Sequence, residues 1–278
     1  MRVSEARLKG VGDNSRTLPR LGSERRLLRD GYRLVAGIDE VGRGAWAGPL
    51  SVGVAVVEPG RRRVPVGLRD SKQLAEEARE SMFERVGAWC AAWAVGHASP
   101  GECDRLGMTA ALRLATRRAL GELPEDARPD AVLLDGKFDF VSPPPPAQPK
   151  LFDDEVALDD QADRAPGADG APGADGAPGA DGADQEDLPQ FVPVVRTMVK
   201  ADALCASVAA ASVLAKVTRD REMRALADSF PPFEFERNKG YPSPVHKRAL
   251  CGYGLSAIHR RSWIFAEHLP WGPVPAPA

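Results

Sequence analysis

Apolar and polar residues recur along this chain with two different periods, and each change of period marks an element. "RLVAGID" and "GPLSVGVAVVE" are β-branched, apolar runs joined by a short glycine-rich connection, the pattern of an antiparallel hairpin. Ahead of them, "SERRLLRDG" predicts a short helix with Ser23 as N-cap and Gly31 as its stop. Beyond them, "LAEEARESMFERVGAWCAAW" places apolar residues at helical spacing and "AVGHAS" predicts a third strand. "MTAALRLATRRALGEL" predicts a further helix, and "DAVLLDG" a buried strand ending at Asp135. "FVPVVR" returns to strand character and leads into "ADALCASVAAASVLAKVTRDREMRALADSF", which reads as one alanine-rich helix, buried along much of its length. "NKGYPSPVHKRALCGYG" and "IHRRSWIF" add a Gly-Tyr-Pro turn, a short helix and a basic end.

Three tracts fall outside this pattern and set the expected organisation. Residues 1–20 lack periodicity and read as a flexible tail, and residues 269–278 as a proline-rich one. Between them, residues 21–268 are expected to form a single domain, interrupted at 141–190 by an insertion. "SPPPPAQP" excludes a central helix or strand there. The repeat "APGADGAPGADGAPGADGAD" has glycine at every third position, but it is short and rich in aspartate, which favours an acidic disordered loop over a collagen-like helix.

Charge is unevenly shared between that insertion and the rest. Residues 153–187 hold twelve acids and one base, Arg164. Without them the chain has 36 basic and 27 acidic residues, a net of +9 in place of the overall −2. A basic globular part suits a polyanionic partner such as nucleic acid. The 278 residues contain no apolar run long enough to span a bilayer and no secretory h-region at the start, so a cytoplasmic, membrane-free protein is expected. Cys90, Cys103, Cys205 and Cys251 are widely spaced and read as reduced, mostly buried thiols.

The chemistry lies in acids at element ends. Asp39 and Glu40 close the first strand, Asp135 closes "AVLL", and Asp202 opens the alanine-rich helix. Gly42 and Gly44 resemble a dinucleotide phosphate loop, but Gly48 is one position late and a strand follows where that fold requires a helix. Carboxylates and phosphate coexist when divalent metal bridges them, which is the arrangement of metal-assisted phosphodiester hydrolysis. Adjacent strand residues face opposite ways, so Asp39 and Glu40 sharing one ion requires the backbone to turn there, with Gly37 and Gly42 as the permissive positions. Asp220 lies 18 residues past Asp202, about 27 Å along a continuous helix, and pairs better with Lys216 one turn back.

Taken together, "GIDEVGRGAWAGPL", "LRDSKQL", "LLDG", "KADALCASVAAASVLAKVTRD", "NKGYPSP" and "HRRS" occur in the order found in bacterial ribonuclease HII, and the chain closely resembles that family from Leu34 to Phe265. The resemblance implies an α/β, ribonuclease H-like fold with a mixed β-sheet and flanking helices. It implies a monomeric endonuclease, dependent on Mn²⁺ or Mg²⁺, that cuts RNA in RNA–DNA hybrids and ribonucleotide-containing duplex DNA. It implies that Asp39, Glu40, Asp135 and Asp202 are the metal-binding catalytic acids. Gly42, Arg43 and Gly44 match the loop that reads the ribose 2′-hydroxyl, Tyr241 the tyrosine that packs on the ribonucleotide, and Ser71 and Lys72 phosphate contacts. Ala201 departs from the glycine common in the family before the metal-site aspartate, and the acidic insertion stands where a much shorter connection is expected.

Blander roles exist for several of these residues. Tyr241 suits a half-buried aromatic beside a proline turn, Arg43 a solvated charge, and Ser71 a helix N-cap followed by a surface lysine. His259, Arg260 and Arg261 read as duplex-facing or structural. Ribonuclease HIII and a non-catalytic hybrid-binding protein are the alternatives; Arg43 argues against the first and the intact set of acids against the second. A glycosidase pair at Asp39 and Glu40 fails because adjacent residues do not flank a scissile bond.

Overall fold

The computed structural model describes residues 18–61, 63–143 and 192–262. Residues 1–17, the proline-rich tail and nearly all of the acidic insertion therefore lie outside the described residues, and Arg20, expected in the flexible tail, is instead bridged to Cys205. The hairpin expected from the first two runs is present as β1 (Val35–Val41) and β2 (Leu50–Val57), paired antiparallel from Val35 opposite Val57 to Val41 opposite Ser51. Three more strands, β3 (Ala92–Ala98), β4 (Ala131–Asp135) and β5 (Val194–Met198), complete a mixed sheet in the order β3-β2-β1-β4-β5. β3 pairs antiparallel to β2, whereas β4 runs parallel to both β1 and β5. The carboxyl ends of β1, β4 and β5 thus share one edge of the sheet.

Helices cover both faces. Besides α1 (Gly22–Arg29), they are α2 (Glu76–Trp89), α3 (Pro100–Glu122), α4 (Ala201–Leu204), α5 (Ala206–Ala227), α6 (Phe235–Asn238) and α7 (Pro244–Tyr253). β2 is buried at every position, because its two faces meet two cores. Val52, Val54 and Val56 pack with Ala111, Leu112 and Ala115 of α3, while Ala55 and Val57 pack with the alanines of α5. α5 lies against the sheet at unusually short range. A Cβ on Gly37 would stand 2.2 Å from the Ser207 carbonyl carbon and the Val208 nitrogen, and one on Gly53 2.6 Å from the Ala211 oxygen. Glycines on the strands and alanines on the helix are what permit that approach.

Three boundaries differ from the expected ones. α1 starts at Gly22 with Leu21 at the cap, so Ser23 is not an N-cap; Leu21 is buried against the α5 core, and that anchoring sets the entry into the helix. α3 begins at Pro100, eight residues before the expected Met108. Ser99 and Glu102 close a capping box there, through Glu102 N–H to Ser99 Oγ at 3.3 Å and Ser99 N–H to Glu102 Oε2 at 2.7 Å, and Gly107 (φ 73°) absorbs a kink. The alanine-rich segment is two helices, not one, with extended backbone at Cys205. Residues far away in sequence hold that break. Arg20 exchanges backbone hydrogen bonds with Leu204 and Ala206, and the buried Glu24 accepts from both the backbone and the hydroxyl of Ser207 at 2.8 Å. Glu24 therefore serves as the N-terminal acceptor that α5 lacks in its own sequence.

Candidate active site

The four predicted acids fall on the shared edge. Asp39 and Glu40 lie near the end of β1, Asp135 is the last residue of its neighbour β4, and Asp202 follows β5 in the first turn of α4. Crevices at the carboxyl ends of parallel strands are where open α/β sheets bind ligands. The expected turn between Asp39 and Glu40 does not occur. The strand stays extended and paired through Val41, with Asp39 opposite Gly53 and Glu40 opposite Val52, and the backbone turns only at Gly42 (φ 86°). Alternation puts Asp39 on the same face as Gly37, toward α5, and Glu40 on the other face. The two acids embrace the strand end instead of lying side by side.

Electrostatics ties the group together. Asp39 is 3% exposed; burial pushes its pKa well up, and the neighbouring Glu40 charge adds to this. Burial also raises Glu40 against the opposing pull of Arg43, whose guanidinium is 3.6 Å away. Lys72 is the shared counter-charge. Burial of its stem acts to lower its pKa, but Asp39, Asp70, Asp202 and Asp135 together hold it above the ordinary value. Its ammonium lies 3.6 Å from Asp202 Oδ2. One Asp135 oxygen accepts the Ala201 N–H at 2.7 Å, so the residue in the usual glycine position orients a site acid through its backbone.

A hard divalent cation prefers several carboxylate oxygens, and this donor set is of that kind. The buried, upward-shifted Asp39 carboxylate fits a place where positive charge belongs. Among the described residues, however, no three His, Cys, Asp or Glu side chains are gathered closely enough to grip one ion. Glu40 and Asp202 instead face Arg43 and Lys72. Asp220 stands apart as expected, bound to Lys216 at 2.7 Å and 3.7 Å from Arg79.

Beside the acids, the Gly42–Gly44 loop meets the 239–241 turn. Gly42 N–H donates to the Tyr241 hydroxyl at 3.2 Å, and Gly240 O accepts from Trp46 N–H at 2.7 Å and Ala47 N–H at 3.2 Å. Ser71 is not the cap of its short turn: Asp70 is, accepting from Lys72 N–H at 3.0 Å. Ser71 itself is buried, its hydroxyl accepting from Ser212 Oγ at 2.8 Å, so a phosphate contact by this side chain requires its buried hydroxyl to become accessible. Lys72, with its side chain 70% exposed, reaches outward only by leaving its ion pair with Asp202.

Two arginines organise this loop, and the sequence reading missed one of them. Arg219 is fully buried and donates to the carbonyls of Pro49 (2.8 Å), Ala47 (3.1 Å) and Lys239 (2.9 Å). Arg260, also fully buried, donates to Gly42 O at 2.7 Å and Gly48 O at 3.0 Å. His259 and Arg260 are thus structural, resolving the alternative left open for them. A signal for Arg219 existed: in α5 it continues the buried i, i+3, i+4 register of Val208, Ala211 and Ala215, where an arginine has to find acceptors.

A mixed sheet with helices on both faces, acids at the carboxyl edge and a glycine–arginine–glycine loop beside them define a nuclease of the ribonuclease H-like class. The family model described as ribonuclease HII matches residues 36–166 and 179–266. Ribonuclease HII of Streptomyces coelicolor is 44% identical over 240 residues, covering 86% of this chain and 81% of the relative. That of Thermus thermophilus is 38% identical over 237 residues, covering 85% and 89%. The crystal structure of ribonuclease H2 from Pyrococcus horikoshii superposes with a TM-score of 0.56 at 27% identity, over 84% of this chain and 96% of that one. The chain belongs to the ribonuclease HII family and is an endonuclease of the ribonuclease H type. No helix among the described residues is long and apolar enough to cross a membrane.

Proposed function

We propose that the chain hydrolyses the RNA strand of RNA–DNA hybrids and also cuts 5′ to a single ribonucleotide embedded in duplex DNA, leaving 3′-hydroxyl and 5′-phosphate ends. The observation that carries this reading is the arrangement at the sheet edge: three carboxylates at the ends of the parallel strands β1 and β4 and a fourth in the first turn of α4, beside a loop whose Gly42 N–H is bound to Tyr241. Asp39, Glu40, Asp135 and Asp202 would hold Mg²⁺ or Mn²⁺, which when bound activates water and stabilises the leaving oxygen. The remaining work belongs to the chain. The buried edge excludes water around Asp39, and Lys72 balances the acids' charge until substrate and cation arrive. Gly44 admits the sugar close to the backbone, since among the described residues a Cβ built there would meet only the Tyr241 ring, at 4.0 Å, whereas Gly42 is required by its own packing, a Cβ there standing 2.4 Å from Arg219 Nε. The backbone of residues 42–44 reads the 2′-hydroxyl that separates RNA from DNA once the Gly42 N–H leaves the Tyr241 hydroxyl, the Gly42 carbonyl being held by Arg260 and Ala45, and the Tyr241 ring packs on the same ribonucleotide. Lys72 serves a flanking phosphate, and Ser71 joins it where its buried hydroxyl becomes accessible.

The test is cleavage of a DNA duplex with one embedded ribonucleotide, with and without Mn²⁺, by wild type and Asp39→Asn. Cutting that needs the metal and is lost in the variant is expected. Metal-independent cutting, or equal cutting by Asp39→Asn, overturns the mechanism.

A further inference from the structure

Beneath the Tyr241 turn, two buried histidines touch each other. His246 Nε2 and His259 Nε2 are 2.9 Å apart, and both rings are almost fully buried. Their outer nitrogens meet groups whose polarity is fixed. His259 Nδ1 lies 2.9 Å from the Ser256 backbone N–H, which can only donate. That nitrogen therefore carries a lone pair, which the Ser256 hydroxyl shares at 2.7 Å. A neutral His259 then bears its proton on Nε2 and donates it to His246 Nε2. His246 is left with its proton on Nδ1, 2.9 Å from the Tyr241 carbonyl oxygen, which can only accept. Each link has one donor and one acceptor, and backbone groups at both ends set the direction.

The surroundings keep both rings neutral. Burial lowers the pKa of both, that of His259 to about 3, where a proton on His246 and the Arg261 charge would each oppose a second positive charge. The faces around them are the rings of Phe233 and Phe235, with Trp46 edge-on to His246. Lys247 lies above the Trp46 ring, Arg261 acts on His259, and no carboxylate pairs with either imidazole among the described residues. An added proton on either ring would set donor against donor.

We propose that His246 and His259 are positioning residues, a one-directional relay of neutral imidazoles that holds the Tyr241 peptide and through it the ring facing the ribonucleotide. The inference rests on the role given to Tyr241 above. The relay ends on the Tyr241 carbonyl, while the Tyr241 hydroxyl reaches Gly42, so one residue joins the histidine pair to the loop.

Two measurements test it. Nitrogen-15 NMR of the imidazoles in the full chain at neutral pH reads the tautomers directly. His259 protonated at Nε2, His246 at Nδ1, and coupling between the two Nε2 atoms are expected; an imidazolium, or the opposite tautomer on either ring, overturns the relay and needs no variant to fold. The second is a double-mutant cycle on the embedded-ribonucleotide substrate. His246→Leu should lose about tenfold in kcat/KM, His246→Asn, which keeps an N–H near the Tyr241 carbonyl, should recover most of it, and His246→Leu should add nothing in a Tyr241→Ala background. If Tyr241→Ala is fully active, the reading of Tyr241 falls and the positioning role with it. If Tyr241→Ala is impaired but the His246→Leu loss adds independently, the positioning role alone falls.

Discussion

Replacing Gly37 by alanine probes the contact on which both fold and site depend. The new methyl would stand 2.2 Å from the Ser207 carbonyl carbon and the Val208 nitrogen, and 2.5 Å from the Ser207 oxygen, where ordinary contact begins near 3.4 Å. The obstructing atoms are helix backbone, not the end of a flexible side chain. β1 cannot yield easily, because it is paired with β2 along its whole length and with β4 from Val35 to Ile38. α5 must therefore move outward by about 1 Å or the strand must buckle, and overpacking of this kind costs about 3 kcal/mol. For a domain of this size that corresponds to a fall in Tm of about 6–12 °C. The shift also reaches the chemistry. Gly37 is two residues from Asp39, and Ser207 follows the Cys205 break that aims Asp202, so the acids of β1 and α4 would separate. A misplacement of about 1 Å is enough for about a hundredfold loss of rate. Urea unfolding gives the stability, and hybrid cleavage well below the variant's midpoint gives the activity. Gly101→Ala is the control: it lies in the first turn of α3, its added methyl would have nothing within 4 Å, and it should leave the protein as stable or slightly more so. If Gly37→Ala matches wild type within about 0.5 kcal/mol and cuts at the same rate, close strand–helix contact does not govern this site.

Two further outcomes follow from buried or paired acids. Glu24→Ala should destabilise by about 2–3 kcal/mol, since it strips the acceptor from both the Ser207 N–H and its hydroxyl, whereas Glu24→Gln, which keeps an oxygen there, should cost less than half as much; equal costs in chemical denaturation would refute the capping role. Glu102 is gripped by Arg118 through two bonds of 2.8 and 2.7 Å, which with the Ser99 cap hold its pKa down at about 2. A lowered carboxylate stabilises the fold above its unfolded value of 4.5, and that contribution is lost as pH falls toward about 2. Glu102→Gln should therefore be less stable than wild type by about 1–2 kcal/mol at pH 7, with the gap closing between pH 4.5 and 2; a gap independent of pH in thermal unfolding would refute it.

What the sequence determined by itself was local and periodic. The strand character of Val35–Val41 and Leu50–Val57 was legible because a short apolar, β-branched run is a property of neighbouring residues. The positions of the four acids were legible because Asp39, Glu40 and Asp135 close such runs and Asp202 opens the alanine-rich segment. The cap of α3 was legible too, in Ser99, Pro100 and Glu102, although the helix was read as starting later. What the tertiary structure decided were matters of long sequence separation. The helix break at Cys205 depends on Arg20 and Glu24, more than 180 residues away, and no local signal in an alanine run announces it. The buried guanidiniums of Arg219 and Arg260 make sense only beside the carbonyls of residues 42–49 and of Lys239, and the proton order of His246 and His259 only beside Ser256 and Tyr241. Burial is the physical reason for the division. A desolvated charge or ring nitrogen must find its partner wherever the fold brings one, and that partner is chosen by packing, not by position along the chain.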